Sequence, residues 1–225
     1  MVIEKSDKPA SARQRLLDAA SQLFYAEGVH TVGVDRVVER AGVAKATLYA
    51  LFGNKEGLVR AYLVGRDEGI RGRMTRRLAR YTTPRERLLG VFDVQGLMFG
   101  EPGFRGCAFA RANAEAPEGT SAEEISENHR DWLRSLFRDL ARDAGARDPE
   151  QLVQQLMLRY DGAAISAWMD RNPSAAEAAR SVATALVDAA LPQAGRPAKK
   201  AERRGDAIAA RPAGSASQRP NRFDR

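Results

Sequence analysis

Lys45, Thr47, Tyr49 and Lys55 place two ammonium groups and two hydroxyls within eleven residues, spaced by small Ala46 and Ala50 and by apolar Leu48, Leu51 and Phe52. Such groups donate to phosphate oxygens and base edges, and Lys45, Ala46, Tyr49 and Ala50 together make a small, basic face that suits the major groove of DNA. They do not suit bond breaking, and reactive residue types are sparse elsewhere. His30 and His129 have no Cys, His or paired acidic neighbours at ligand spacing, so neither a metal nor another cofactor is expected. His129 lies beside Asp131 and one turn from Ser126, but on an amphipathic helix it reads as a surface histidine, not a triad member. Gly96, Gly100, Gly103 and Gly106 follow no strand and make no phosphate loop. No catalytic residue is assigned, and the chain is not expected to be an enzyme.

The DNA-suited face needs a helix to carry it, and the sequence from Val32 to Phe52 supplies two around a turn. Val34, Val37, Val38 and Ala41 form an apolar stripe at helical spacing. Gly42 follows, where a sharp turn calls for positive φ, and Ala44 to Phe52 form a second helix expected to bury Leu48, Leu51 and Phe52. Upstream, Ser11 to Glu27 read as an amphipathic helix with a Ser11/Gln14 capping box and Gly28 at its end. Downstream, Asn54 caps the next helix. Lys55 then puts a cation in a first turn, where the helix dipole disfavours it unless an external anion such as a DNA phosphate is near. A solvated surface lysine is the plain alternative.

The stretch from Arg13 to Leu63 resembles the N-terminal domain of the tetracycline-repressor (TetR) family of transcriptional regulators. The resemblance rests on Ala41-Gly42-Val43, Thr47-Leu48-Tyr49, Phe52 and Lys55-Glu56-Gly57-Leu58. It implies a homodimer with three N-terminal helices for DNA and a larger helical domain for dimerisation and ligand binding. It puts DNA contacts at Gly33, Val34, Ala44, Lys45, Ala46, Thr47, Tyr49, Ala50 and Lys55, with Lys45 and Ala46 at base edges and Thr47, Tyr49 and Lys55 on phosphates. Ala44 departs from the usual Ser or Thr cap, and Ala50-Leu51 from the usual polar or aromatic pair. Base readout then falls to Lys45 and to apolar contact with thymine methyls. Thr31-Val32-Gly33 also departs from the usual Thr-Ser pair, and Thr31 is not counted among the phosphate ligands.

The 225 residues suffice for one or two domains with a sizeable core. No apolar run is long enough to span a membrane and no signal peptide precedes Ser11, so a cytoplasmic protein is expected. One cysteine excludes an intrachain disulfide and fits a reducing compartment. Charge is divided along the chain: 9 basic against 7 acidic groups over residues 1–60, 8 against 4 over 61–100, 10 against 15 over 101–195, and 9 against 3 over 196–225. A basic head beside an acidic body fits a protein that faces DNA at one end.

Periodicity beyond the head stays helical, and about nine helices are expected in an all-α fold. Asn54 to Arg80 connects the two parts and ends in Arg71, Arg73, Arg76, Arg77 and Arg80, read as a solvated face. Thr83-Pro84-Arg85-Glu86, Ser121 to Glu124, Asp148-Pro149 and Ser174 to Glu177 mark later helix starts. The last two helices carry Leu152, Leu156, Tyr160, Ala163, Ala164 and Ala167, and Ala178, Val182, Ala185, Leu186 and Ala189. These stripes serve either a four-helix dimer interface or internal packing. Candidate walls of an effector pocket are Phe92, Leu97, Met98, Phe104, Cys107, Phe109, Trp132, Leu136, Met157, Tyr160 and Trp168, which would serve equally as core. Cys107 reads as a small buried hydrophobe, with a redox sensor as the alternative.

The expected organisation is an N-terminal arm over 1–10, a helix-turn-helix domain over 11–58, a ligand-binding and dimerisation domain over 59–192, and a basic disordered tail over 193–225. The expected function is a dimeric repressor that binds a palindromic operator and is released by a small apolar effector. The alternatives are an activator or an architectural DNA-binding protein without an effector.

Overall fold

Ser11, Asn54, Thr83 and Asp148 each turn a side-chain oxygen onto an amide of the turn that follows, and so set where four helices begin. The computed structural model describes residues 10–116 and 119–192. The arm over 1–10, apart from Ala10, and the tail over 193–225 lie outside the described residues. Nine α-helices and no strand occur among the described residues: α1 Ala12–Glu27, α2 Val34–Ala41, α3 Lys45–Phe52, α4 Lys55–Leu78, α5 Pro84–Phe99, α6 Ala108–Glu115, α7 Ser121–Asp143, α8 Pro149–Met169 and α9 Ala175–Ala190.

Thr83 accepts from the Glu86 amide at 3.2 Å while the Glu86 carboxylate accepts from the Thr83 amide at 3.1 Å, a complete capping box. At α1 only half of the expected box forms. Ser11 Oγ accepts from the Gln14 amide at 3.2 Å, but the Gln14 side chain turns away to Asp18. Two further start signals are displaced. Ser121 is the first residue of α7, not its cap, and Ser174 makes no side-chain cap, its backbone being helical (φ −68°, ψ −8°) and not extended as a capping residue's usually is.

Two clusters of buried side chains organise the helices. The first takes α1 to α3 and the first half of α4, through Leu16, Phe24, Val37, Leu48, Leu58 and Tyr62, and extends to Phe109 and Ala112 of α6 and Ile125 of α7. The second joins the rest of α4 to α5, α7, α8 and α9 around Phe92, Phe137, Leu152 and Leu156. Helix α6 therefore packs with the head although it follows α5 in the chain.

The stripes of the last two helices divide differently from expectation. Leu152, Leu156, Ala163 and Ala167 are buried in the protomer's own core and cannot meet a partner. The exposed apolar face of α8 is Leu158, Ile165 and Met169, running past Gly162, with Leu158 at 73% and Met169 at 70% exposure. On α9 the buried residues are Ala176, Ala179, Ala183 and Val187, and the opposite stripe of Ala178, Val182, Ala185 and Ala189 is exposed. Arg71 and Arg73 also leave the solvated face expected of them. Arg71 binds Asp67 at 2.6 Å and lies 4.8 Å over the Trp132 ring, and Arg73 pairs with Glu101.

Candidate functional site

The turn between α2 and α3 is made by Gly42 at φ 62°, ψ 44°, a left-handed conformation open to glycine without steric cost. The Gly42 and Val43 amides close back on the carbonyls of Glu39 and Val38 at 3.2 Å. From α1, Arg15 Nε reaches the Ala41 carbonyl at 3.1 Å and holds the turn against the head. Helix α3 sits on the core through one fully buried residue, Leu48, with Phe52 half-buried. Ala44, Lys45, Ala46, Tyr49 and Ala50 are exposed, Thr47 is half-buried, Gly33 is exposed and Val34 half-buried. Leu51 is 42% exposed, which corrects the expectation that it is buried. A helix of eight residues resting on Leu48 turns Leu51 off the contact line, and its methyl groups join Tyr49 and Ala50 on the outer surface.

The two lysines are already engaged. Lys45 Nζ pairs with Asp35 Oδ1 at 2.7 Å, an exposed bridge that raises the lysine pKa. Lys55 Nζ donates to the His30 carbonyl at 3.2 Å, and partial burial lowers its pKa against the opposing pull of Glu115. The cation in the first turn of α4 is thus satisfied from within the head, with donors to spare for a phosphate.

A cavity of about 200 Å³ opens between α4, α5, α6, α7, α8 and the end of α1. Met98, Phe104, Cys107, Phe109 and Tyr160 line it. The other expected walls are elsewhere. Phe92 and Met157 are inside the second cluster, Trp132 and Leu136 pack against that cluster, Leu97 is 47% exposed, and Trp168 lies outside against Gly106. Cys107 is exposed where it lines this cavity, which corrects its reading as a buried hydrophobe, and desolvation still pushes its thiol pKa up, away from the reactive thiolate.

Among the wall residues that sequence reasoning missed are Tyr25, Arg66, Gln95 and His129. His129 is 8% exposed and not a surface residue. Its Nδ1 meets Asp67 Oδ1 at 2.7 Å and its ring stacks on Phe109 at 3.9 Å. Burial pushes its pKa down while Asp67 pulls it up. Tyr25 belongs to α1, yet its hydroxyl donates to the Gly106 carbonyl at 3.0 Å and accepts from the Arg105 amide at 2.9 Å, while Arg111 of α6 donates to the Tyr25 carbonyl at 2.7 Å. At the other end of α6, Glu115 accepts from the His30 amide at 3.0 Å. Gly28 makes room for that carboxylate, because a Cβ there would lie 2.8 Å from it. The cavity wall and the head thus share α6 at both of its ends. No signal in the sequence joins residues 25, 66, 95 and 129, which meet only once four helices have packed.

Among the described residues no group of three or more His, Cys, Asp or Glu is placed to hold a metal, and no helix is long and apolar enough to cross a membrane. The sequence profile of bacterial regulatory proteins of the tetR family matches residues 16–62. In structure the chain is similar to a TetR-family transcriptional regulator from Streptomyces coelicolor, with 32% identity, 80% of this chain and 95% of that one covered, and a TM-score of 0.76. It is also similar to a regulator of the same type from Streptomyces avermitilis, at 33% identity, 80% and 98% coverage and a TM-score of 0.72. Among curated proteins, the transcriptional activator FasR of Mycolicibacterium smegmatis is 29% identical over 59% of this chain and 60% of its own length. The transcriptional repressor KstR2 of the same organism is 32% identical over 41% of this chain and 45% of its own. The chain spans less than two thirds of the length of either curated relative.

Proposed function

The chain belongs to the TetR family of DNA-binding transcriptional regulators, which are not enzymes, and from that premise we propose that it is a ligand-responsive repressor working as a homodimer in the cytoplasm. Lys45 and Ala46 read base edges from the start of α3, Ala50 and Leu51 offer methyl groups to thymine, and Thr47, Tyr49 and Lys55 hold phosphates, with Gly33, Val34 and Ala44 flanking them. Residues 11–58 act as the DNA-binding domain and 59–192 as the ligand-binding and dimerising one. The exposed stripes of α8 and α9 support the dimer: Leu158, Ile165, Met169, Val182 and their small neighbours form an apolar surface suited to a four-helix contact with the same surface of a second copy.

One observation carries the ligand response: Tyr25, a residue of the DNA-binding head, is at once a wall of the cavity and hydrogen-bonded to the loop that closes it. A molecule filling the cavity presses on Tyr25 and on α6, and α6 passes the displacement to His30 through Glu115. The two heads of the dimer then lose the spacing of about 34–36 Å that adjacent major grooves demand. An effector-independent architectural protein has no use for such a joint. Activation is the second reading, favoured by the similarity to the activator FasR.

The test is selection of bound genomic fragments followed by footprinting. The expected result is one palindromic protected region, lost when a cavity ligand is added. An asymmetric footprint from a monomer, unchanged by any small molecule, refutes both the dimer and the ligand response.

A further inference from the structure

An apolar effector would leave two features of the cavity unused. Gln95 is 1% exposed, and its Nε2 donates to the Tyr160 carbonyl at 2.7 Å. A carbonyl only accepts, so this bond fixes which end of the amide is which. Oε1 is then a buried acceptor without a hydrogen-bond partner among the described residues, on a residue that lines the cavity. Leaving such an atom unpaired is costly, and a ligand that donates to it recovers the loss.

Arg66 is the second feature. Its guanidinium lies 4.0 Å over the Tyr25 ring, its Nε is buried and unpartnered, and no ion pair neutralises it among the described residues. The other charges on the wall cancel locally: Arg73 pairs with Glu101, and His129 is tied to Asp67. Among the described residues the wall therefore carries one uncompensated positive charge and one acceptor in want of a donor. On its wall the cavity also carries the rings of Phe99, Phe104 and Phe109. Its size, about 200 Å³, is below that of pockets for drug-sized molecules and above the roughly 150 Å³ that holds a benzene ring. One substituted ring fits.

Resting on the reading of this cavity as the effector site, we propose that its effector is a small aromatic hydroxy acid, with a carboxylate for Arg66, a hydroxyl donating to Gln95 Oε1 and a single ring among the phenylalanines. A guanidinium takes a carboxylate through two parallel hydrogen bonds. An aromatic wall could otherwise favour a cation, but Arg66 repels one. The carboxylate also competes with the Tyr25 ring for the guanidinium, so its arrival is felt first at the residue that joins the cavity to the head.

Calorimetric titration of the full chain without DNA tests the chemistry. The probes are 2-, 3- and 4-hydroxybenzoate, the matching hydroxybenzamides, benzoate and tetramethylammonium. At least one hydroxybenzoate is expected to bind about tenfold or more tightly than both its amide and benzoate. Arg66→Lys weakens it and Arg66→Met weakens it further. The acid-against-amide comparison uses the native chain, so it decides the matter even where a variant fails to fold. Failure of every hydroxybenzoate to bind, equal binding of acid and amide, or tighter binding of tetramethylammonium overturns the proposal. Operator release is read separately. A neutral apolar compound that binds and releases DNA while the acids do neither overturns this chemistry and leaves the ligand-responsive reading standing. Acids that bind as expected without releasing DNA support the chemistry and overturn that reading.

Discussion

Gly57→Ala sets two effects of opposite sign against each other at the junction of α3 and α4. Replacing a helical glycine by alanine ordinarily stabilises by about 0.5–1 kcal/mol. At residue 57 the added Cβ would lie 2.0 Å from the Phe52 carbonyl oxygen and 3.1 Å from its carbonyl carbon. A relaxed carbon–oxygen contact is about 3.3 Å, so more than an ångström must open. The obstacle is backbone at the last residue of α3, and relief means prising the recognition helix from α4. That movement also strains the 2.8 Å bond from the Gly57 amide to Asn54 Oδ1, a cap whose loss costs about 1 kcal/mol. Overpacking of this kind costs about 1–3 kcal/mol, so the clash outweighs the propensity gain and the net loss is about 1–3 kcal/mol. At roughly 2–4 °C per kcal/mol, the midpoint of thermal unfolding falls by about 2–12 °C. Gly65→Ala, on the same helix with nothing within 4 Å of its Cβ, is the control and should raise the midpoint by about 1–4 °C. Scanning calorimetry on both variants decides. A Gly57→Ala protein as stable as the native one would refute the packing of α3 on α4 described above.

Three further outcomes are expected. Lys45→Ala should lower discrimination between operator and random DNA by about 1–3 kcal/mol in competition binding, while Lys55→Ala weakens both DNAs alike; equal losses for Lys45→Ala would remove it from base readout. Ile165→Glu combined with Val182→Glu puts charges on the exposed stripes without touching the core, so sedimentation should give a folded monomer with little operator affinity, and a dimer would show that the contact lies elsewhere. His129, whose pKa burial holds below its ordinary 6.5, takes its proton in the unfolded chain first. Its contribution to stability is whole above about pH 6.5 and declines below it. Urea titrations between pH 8 and 5 should show a steeper loss for the native chain than for His129→Gln, and parallel slopes would exclude the effect.

Local chemistry carried most of the fold into view from the sequence. Asn54, Thr83 and Asp148 bond the amides their spacing promises, and Gly42 takes the left-handed turn it was assigned. What escaped was settled by competition between elements. The stripe on α8 from Leu152 to Ala167 is its most continuous, and the protomer's own core takes it; the exposed Leu158, Ile165 and Met169 are interrupted by Arg159, Asp161 and Gly162 and were passed over. His129 sits among polar residues on α7, and only the approach of Asp67 and Phe109 from α4 and α6 makes a buried place for it. On α3, Leu48 rests on the core and Leu51 does not, a difference of helix tilt that periodicity over eight residues cannot fix.

Tyr25 has a consequence for how such proteins can diverge. It is numbered with the helices that face DNA, but its ring and hydroxyl finish a chamber whose other walls come from α4 to α8. The two halves of the chain are therefore not interchangeable cassettes. On the ligand-responsive reading proposed above, a recombination that joins a foreign head near residue 58 would bring in a stranger at position 25 and rebuild the chamber in the same event, so a new DNA specificity would arrive with an altered chemical sense. On that reading, lineages that shuffle heads would have to keep Tyr25 with the body it closes, or search for an effector again.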